Sequence, residues 1–380
     1  MKKTLVALAV AAVAATSANA AVVYNQDGTK VEVGGQFRVL LTKNSGERAD
    51  LKNPDSRVEI KATQDLGNGF SALAATQLRF SARDEAGDEK QDFNDIEAYN
   101  VYAGFAQDQI GTLTFGKQNT NQDDLGISDY TYDLGDVKMT HNHDKKSAKF
   151  RSVEWNGLSV GADYFFGDAE KDSATEQNGK GWGAALFYTA EVANDTTLTV
   201  NGGYTKVKKF ARDHLVADGK SDVTLADGTT AKVTTYNKEN YDYNESAYVV
   251  GAELATGPFA LAVDWSVKQA TNGTDALEFG TDEVGIDAHK IRALEVGAKY
   301  NYLENAKVYG EYQYWKATTE GVVGANDNTK VTMNGFILGT DYWFTKQVVT
   351  YLEAGTFQYK DQDNNKDRDN KIGVGFRVYF

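Results

Sequence analysis

Apolar and polar residues alternate along this chain in repeated runs of roughly ten. The first run, 31–43, places Val31, Val33, Phe37, Val39 and Leu41 on one face and Glu32, Gln36 and Arg38 on the other. Similar runs occupy 56–66, 70–82, 94–106, 109–116, 148–155, 158–166, 181–191, 196–206, 245–255, 259–269, 290–302, 306–317, 331–344, 347–359 and 371–380. A period of two marks a β-strand, because successive side chains point to opposite faces. The pattern therefore predicts sixteen strands, each about the length of a tilted strand crossing a bilayer.

The connections alternate in length. Short turns are predicted at 67–69, 107–108, 156–157, 192–195, 256–258, 303–305 and 345–346. Long polar loops fall between them at 44–55, 83–93, 118–147, 167–180, 207–244, 270–289, 318–330 and 360–370. Long loops at one rim and short turns at the other are the pattern of an outer-membrane barrel. Both prolines agree with this reading, since Pro54 falls in a loop and Pro258 in a turn, where no ladder N–H is lost.

One segment breaks the rhythm. Over 117–147 the alternation stops, and Asp123, Asp124, Asp129, Asp133 and Asp136 appear among Tyr, Gly and Leu. A loop longer than about 15 residues in a compact domain is either functional or disordered. Inside a water-filled barrel, its carboxylates would face basic residues of the wall.

The ends add a location. Lys2 and Lys3, an apolar stretch over 5–15 and Ala18-Asn19-Ala20 form the three parts of a secretion signal, so the mature chain is expected to start at Ala21. Without the two lysines the chain keeps 38 basic and 54 acidic residues, a formal charge of −16. So acidic a balance argues against nucleic-acid binding. There is no Cys, which leaves stability to backbone pairing and packing. A mean hydropathy of −0.50 suits a barrel, where only every second strand residue meets lipid. The final strand sets Ile372, Val374, Phe376, Val378 and Phe380 against Gly373, Gly375, Arg377 and Tyr379, whereas ordinary soluble termini fray. The 21 Tyr and 18 Phe suit aromatic girdles at two membrane interfaces. A soluble β-sandwich or β-solenoid is the alternative, but neither requires loops that alternate long and short.

Taken together, the run 31–35, Thr114-Phe115-Gly116-Lys117 before the long loop, 129–135 within it and the closing Val378-Tyr379-Phe380 resemble the general diffusion porins of Gram-negative outer membranes. The resemblance covers the whole mature chain, 21–380. It implies a sixteen-stranded transmembrane antiparallel barrel, a homotrimer among outer-membrane lipids and lipopolysaccharide, and a third loop folded into the lumen. It places Asp129 and Asp133 where the family has loop carboxylates and Arg57 at a constriction arginine. Gln36 and Tyr99 stand where the family often has a base. Arg38, Arg79 and Lys61 lie on the lumenal face by the period of two and would supply the missing bases, and Gln77 joins them on the wall side of the constriction. The loop's usual Pro-Glu-aromatic-Gly-Gly run is here Tyr132-Asp133-Leu134-Gly135-Asp136, a departure that bears on its path.

Opposed charges would create a field across the narrowest point. Two unit charges ~8 Å apart interact by about 0.5 kcal/mol in water and about 2 kcal/mol at an effective dielectric of 20. That orients a dipolar solute without trapping it. Acidic outer loops would draw cations to the mouth. The expected activity is passive passage of small hydrophilic solutes and ions with a cation preference, with no cofactor.

Other chemistry is weaker. His141 and His143 are two residues apart beside Asp144, but no third His is near, so no metal site is expected. Asp361, Asp363, Asn365 and Asp367 have the oxygen spacing of a calcium loop without its Gly and closing Glu. No Ser-His-Asp arrangement stands out, although His214 and His289 fall in outer loops, so an enzyme is not expected. Two other readings stay open: a substrate-specific channel, with Tyr99, Phe165 and Trp315 in the lumen, and an adhesin or receptor whose longest loop, 207–244, forms an extra hairpin.

Overall fold

The computed structural model describes residues 20–80, 93, 96–135, 138–170, 178–224, 230–271, 277–281, 283–319 and 329–380, with the backbone alone at 211–223 and 230–241. The signal segment, Asp136, most of the loop at 83–93 and the His214 side chain lie outside the described residues.

Among the described residues twenty strands follow in order. They are β1 (Ala21–Gln26), β2 (Thr29–Asn44), β3 (Asp50–Lys52), β4 (Arg57–Gly67), β5 (Phe70–Arg79), β6 (Glu97–Gln107) and β7 (Gly111–Asn119). Then come β8 (His143–Ser152), β9 (Leu158–Phe165), β10 (Asn178–Ala193), β11 (Thr196–Thr224), β12 (Thr230–Thr256) and β13 (Phe259–Ala270). The last are β14 (Leu277–Gly280), β15 (Gly285–Ala288), β16 (Lys290–Leu303), β17 (Ala306–Thr318), β18 (Lys330–Thr345), β19 (Val348–Asp361) and β20 (Lys366–Tyr379).

Eighteen of them form one antiparallel sheet, and β2 closes it by pairing with β4 on one edge and β20 on the other. β3 and β4 are one wall strand broken at 53–56, and β1 continues the line of β20 along β2. The ring therefore has sixteen staves, as the alternation predicts. Closure is tight. Gly35 and Phe380 exchange both backbone hydrogen bonds at 2.8 and 3.0 Å. A Cβ on Gly35 would lie 2.7 Å from the Phe380 ring, so only glycine lets the two ends meet. Phe37 stacks on that ring at 5.6 Å.

The faces separate as the period of two requires. On β18, Phe336 and Leu338 point outward while Val331, Met333, Ile337 and Asp341 are buried inside. Leu254, Leu261, Val263 and Phe376 join the exposed apolar band that lipid would cover. The observed strands differ from the expected ones mainly at the loop rim. β7 and β8 extend inward on 117–147, through Gln118↔Asp144 and Asn119↔His143, so the third loop is only 120–142. The segment 207–244 continues the β11–β12 ladder out to Thr224↔Thr230. β14 and β15 form a separate small sheet within the loop 270–289.

Candidate functional site

The basic side of the lumen is built on the break between β3 and β4. Pro54 has no N–H to give a ladder, and Asp55 takes a left-handed φ of 71°. Asn53 and Ser56 rebuild the lost pairing: the Ser56 N–H donates to Asn53 Oδ1 at 3.0 Å and the Arg38 N–H to Ser56 Oγ at 2.8 Å. This turn aims Asp55 inward, where it gathers three guanidinium groups. Arg79 Nε lies 2.9 Å away, Arg57 3.1 Å and Arg38 3.8 Å. The shared carboxylate offsets the repulsion among three like charges held close together. Gln77 bridges Arg79 to Glu59 at 3.1 and 3.0 Å. A bulge in β6, where Gln77 pairs Asn100 but Leu78 pairs Ala98, turns both Tyr99 and Asn100 inward. Arg79 lies 3.2 Å over the Tyr99 ring, and His143 stacks on Tyr99 at 4.2 Å.

The third loop lies along the other side of the inner wall. It has little secondary structure, so its backbone N–H groups need partners elsewhere. Wall carboxylates supply them. Asp163 on β9 accepts from the Asn121 N–H at 3.0 Å. Asp264 on β13 accepts from Ile127 at 2.7 Å and from Ser128. Glu353 on β19 accepts from Tyr132, from Asp133 at 3.0 Å and from Leu134 at 3.2 Å. The Tyr132 hydroxyl donates to Asp341 at 2.6 Å, the Tyr130 hydroxyl to Glu253, and Arg377 to the Tyr132 carbonyl. Space is made as well as bonds: a Cβ on Gly297 would collide with the Ser128 carbonyl, and one on Gly161 with Asn121.

Between the two sides is a cavity of about 910 Å³. Arg38, Arg57, Lys61, Gln77, Arg79 and Tyr99 line it from the wall, and Asp123, Asp124, Asp129 and Asp133 from the loop. Gln36 does not line it. That residue is buried in the ladder between Arg57 and Tyr379. The lining also holds Asp55, Glu59, Lys138, Lys149 and Arg151, so it carries seven basic and six acidic side chains. Arg151 pairs with Asp124 at 3.2 Å. Burial pushes the Asp124 and Asp133 carboxyls above the usual carboxylate range. Lys149 and Arg151 oppose the shift at Asp124, and Arg377, Lys52 and Lys371 oppose it at Asp133.

Sequence reasoning missed Asp55, which it left at the end of a loop, and the wall carboxylates under the third loop. The signal for the latter was present: Asp264, Glu295, Glu311, Asp341 and Glu353 all fall at inward positions of neighbouring strands. His141 bonds Asp144 at 2.9 Å, and His143 bonds the Tyr99 carbonyl at 3.0 Å. Among the described residues no group of three His, Cys, Asp or Glu is placed to hold a metal ion. In the last outer loop Asp361 accepts from the backbone N–H groups of Asp363 and Asn365, each at 2.9 Å, as a turn rather than an ion cradle.

The family model of the Gram-negative porins matches residues 7–362. Two proteins of Pasteurella multocida, each named major outer membrane protein, are 41% and 39% identical to this chain, and each alignment covers 100% of both partners. Solved structures share the fold at low identity. An OmpT of Vibrio cholerae in its trimer form matches at a TM-score of 0.61 with 19% identity, over 93% of this chain and 100% of that one. OmpF of Salmonella typhi matches at 0.62 with 16% identity, over 94% and 99%. An anion-selective porin from Comamonas acidovorans matches at 0.65 with 14% identity, over 93% and 100%. A family match along nearly the whole length, on a closed barrel of sixteen staves, places this chain in the Gram-negative porin family.

Proposed function

We propose that this outer-membrane porin passes small hydrophilic solutes and ions through a charged constriction. Asp123, Asp124, Asp129 and Asp133 form its loop side, and Arg38, Arg57, Lys61, Gln77, Arg79 and Tyr99 its wall side. The observation that carries this reading is the cavity of about 910 Å³ that both sets of side chains line. Lining charge is nearly balanced, so the preference for cations arises mainly from the −16 formal charge of the mature chain, which is concentrated in the outer loops. The porin family match and the relatives named major outer membrane protein support a channel rather than an enzyme. Export by residues 1–20 delivers a single barrel domain, 21–380, to the outer membrane. It assembles there as a homotrimer among lipids and lipopolysaccharide, in keeping with the trimer form of the OmpT neighbour.

The test is the reversal potential of single channels in a planar bilayer under a KCl gradient. Stepwise conductance with a cation-sided potential, reduced in Asp129→Ala/Asp133→Ala, is the expected result. An open channel indifferent to both carboxylates would leave the porin and remove the constriction. The long β11–β12 ladder favours one further role, surface contact through the outer rim, which is compatible with conduction.

A further inference from the structure

The inner wall over β16–β19 has two zones. The zone under the third loop is acidic, with Glu295, Glu311, Asp341 and Glu353. The zone nearer the long loops is apolar at inward positions: Ile291, Ala293, Trp315, Met333, Ile337 and Phe357. Apolar side chains on a lumenal face run against the rule that water-filled barrels are polar inside. Their cover is the hairpin of β14 and β15. Leu277, Val284 and Ala288 of that hairpin are buried, and Phe279 stacks on Trp315 at 5.8 Å and packs against Tyr359 at 6.0 Å. The hairpin and the third loop also meet. Met139 of the loop shares one apolar cluster with Leu277 and Ala288. Leu134 of the loop and Phe279 of the hairpin pack against the same cluster, formed by Met333, Ile337 and Phe357. The wall residues that line the large cavity lie on β2, on the break at 53–56 and on β4–β8, and none is on β16–β19.

We propose that the hairpin Leu277–Ala288 is a second narrowing element of this channel, which fills one side of the outer lumen and sets the position of the third loop through Leu134 and Met139. This rests on the porin reading above. Burial of the apolar zone keeps the hairpin seated, because leaving it would expose that zone to water. Solutes are thereby confined to the charged side, past the carboxylates. Phe279 acts as a positioning residue: it bears no charge and does not line the cavity, yet its packing fixes where the loop carboxylates stand.

The experiment uses the full chain in planar bilayers, together with liposome swelling by sugars of increasing size. Three variants are compared with the wild type: replacement of 277–288 by Gly-Gly, Phe279→Ala and Phe279→Leu. The replacement is expected to raise single-channel conductance by about 1.5-fold or more and to admit larger sugars, as a wider lumen requires. Phe279→Ala should shift the KCl reversal potential although no charge has changed, and Phe279→Leu should restore it. If the replacement does not fold, the two point variants decide. A conducting wild type with unchanged potential in Phe279→Ala overturns the inference and leaves the porin intact. A wild-type barrel that does not conduct overturns the porin reading and the inference with it.

Discussion

The two sides of this barrel are made from the same kind of strand and do opposite things. Strands β4–β8 present charged and polar side chains to open space, and the large cavity is lined from there. Strands β13 and β16–β19 present carboxylates and apolar groups that are all covered, by the third loop in one zone and by the β14–β15 hairpin in the other. The difference lies in what each inward side chain bonds. Arg38, Arg57 and Arg79 converge on Asp55 within their own wall, so their charges still face the lumen. Asp264 and Glu353 spend their oxygens on backbone N–H groups of the loop and are withdrawn from solvent. Under the proposed function a lumenal charge therefore acts as a filter on one side, whereas on the other it is an anchor for the loop backbone.

The sharpest way to break this contrast is to dislodge the cover. Gly297→Leu puts a side chain where the Ser128 carbonyl lies, so the third loop cannot seat. Single-channel conductance and current noise should change more in this variant than in any other, while the barrel stays folded on heat-modifiability gels. Glu353→Ala should come next. It strands three loop N–H groups in a buried place, at a cost of about 1–3 kcal/mol each. Protease cleavage between 126 and 135 in the folded barrel should rise steeply. Unchanged resistance would show that the wall carboxylate is no anchor.

Smaller effects sharpen the filtering side. Asp55→Asn keeps the turn but leaves three guanidinium groups without their shared counter-charge, so the reversal potential should move toward anions and the channel should bind phosphate more tightly. Identical potentials in wild type and variant would mean the arginines are screened from the lumen. The smallest effect is the pH profile. Burial raises the folded carboxyls of Asp124 and Asp133, so both hold their protons to a higher pH than an exposed Asp. As pH falls through that raised range they gain protons, and the slight positive excess of the lining, seven basic against six acidic side chains, grows by two charges. Cation preference should therefore be present at high pH and fade on acidification, beginning above pH ~4, where an exposed Asp titrates. Asp124→Asn/Asp133→Asn should flatten the profile.

Much of this was legible in the sequence because the physics is local. The period of two assigned Arg57, Lys61, Gln77 and Arg79 to the inward face, and all four line the cavity. The same rule named Gln36, which points inward but is enclosed by the ladder at barrel closure. The broken strand at 53–56 read as loop, since Pro54 and polar neighbours look like a turn. Its function appears only when Asp55 is seen among three arginines from three strands. The apolar inward positions of β16–β19 look like errors of alternation until the hairpin covers them.

Sequence alone determined the sixteen staves, which face of each meets lipid, the long and short rims and the acidic loop. Each follows from the order of residues within one strand or turn. Tertiary structure alone decided which side of the lumen stays open, which carboxylates line the cavity and which anchor the loop, and where Phe279 and Leu134 pack. Those outcomes depend on contacts such as that between Tyr132 and Glu353, 221 positions apart. A period of two records the face a side chain takes, but carries no information about what arrives from across the barrel.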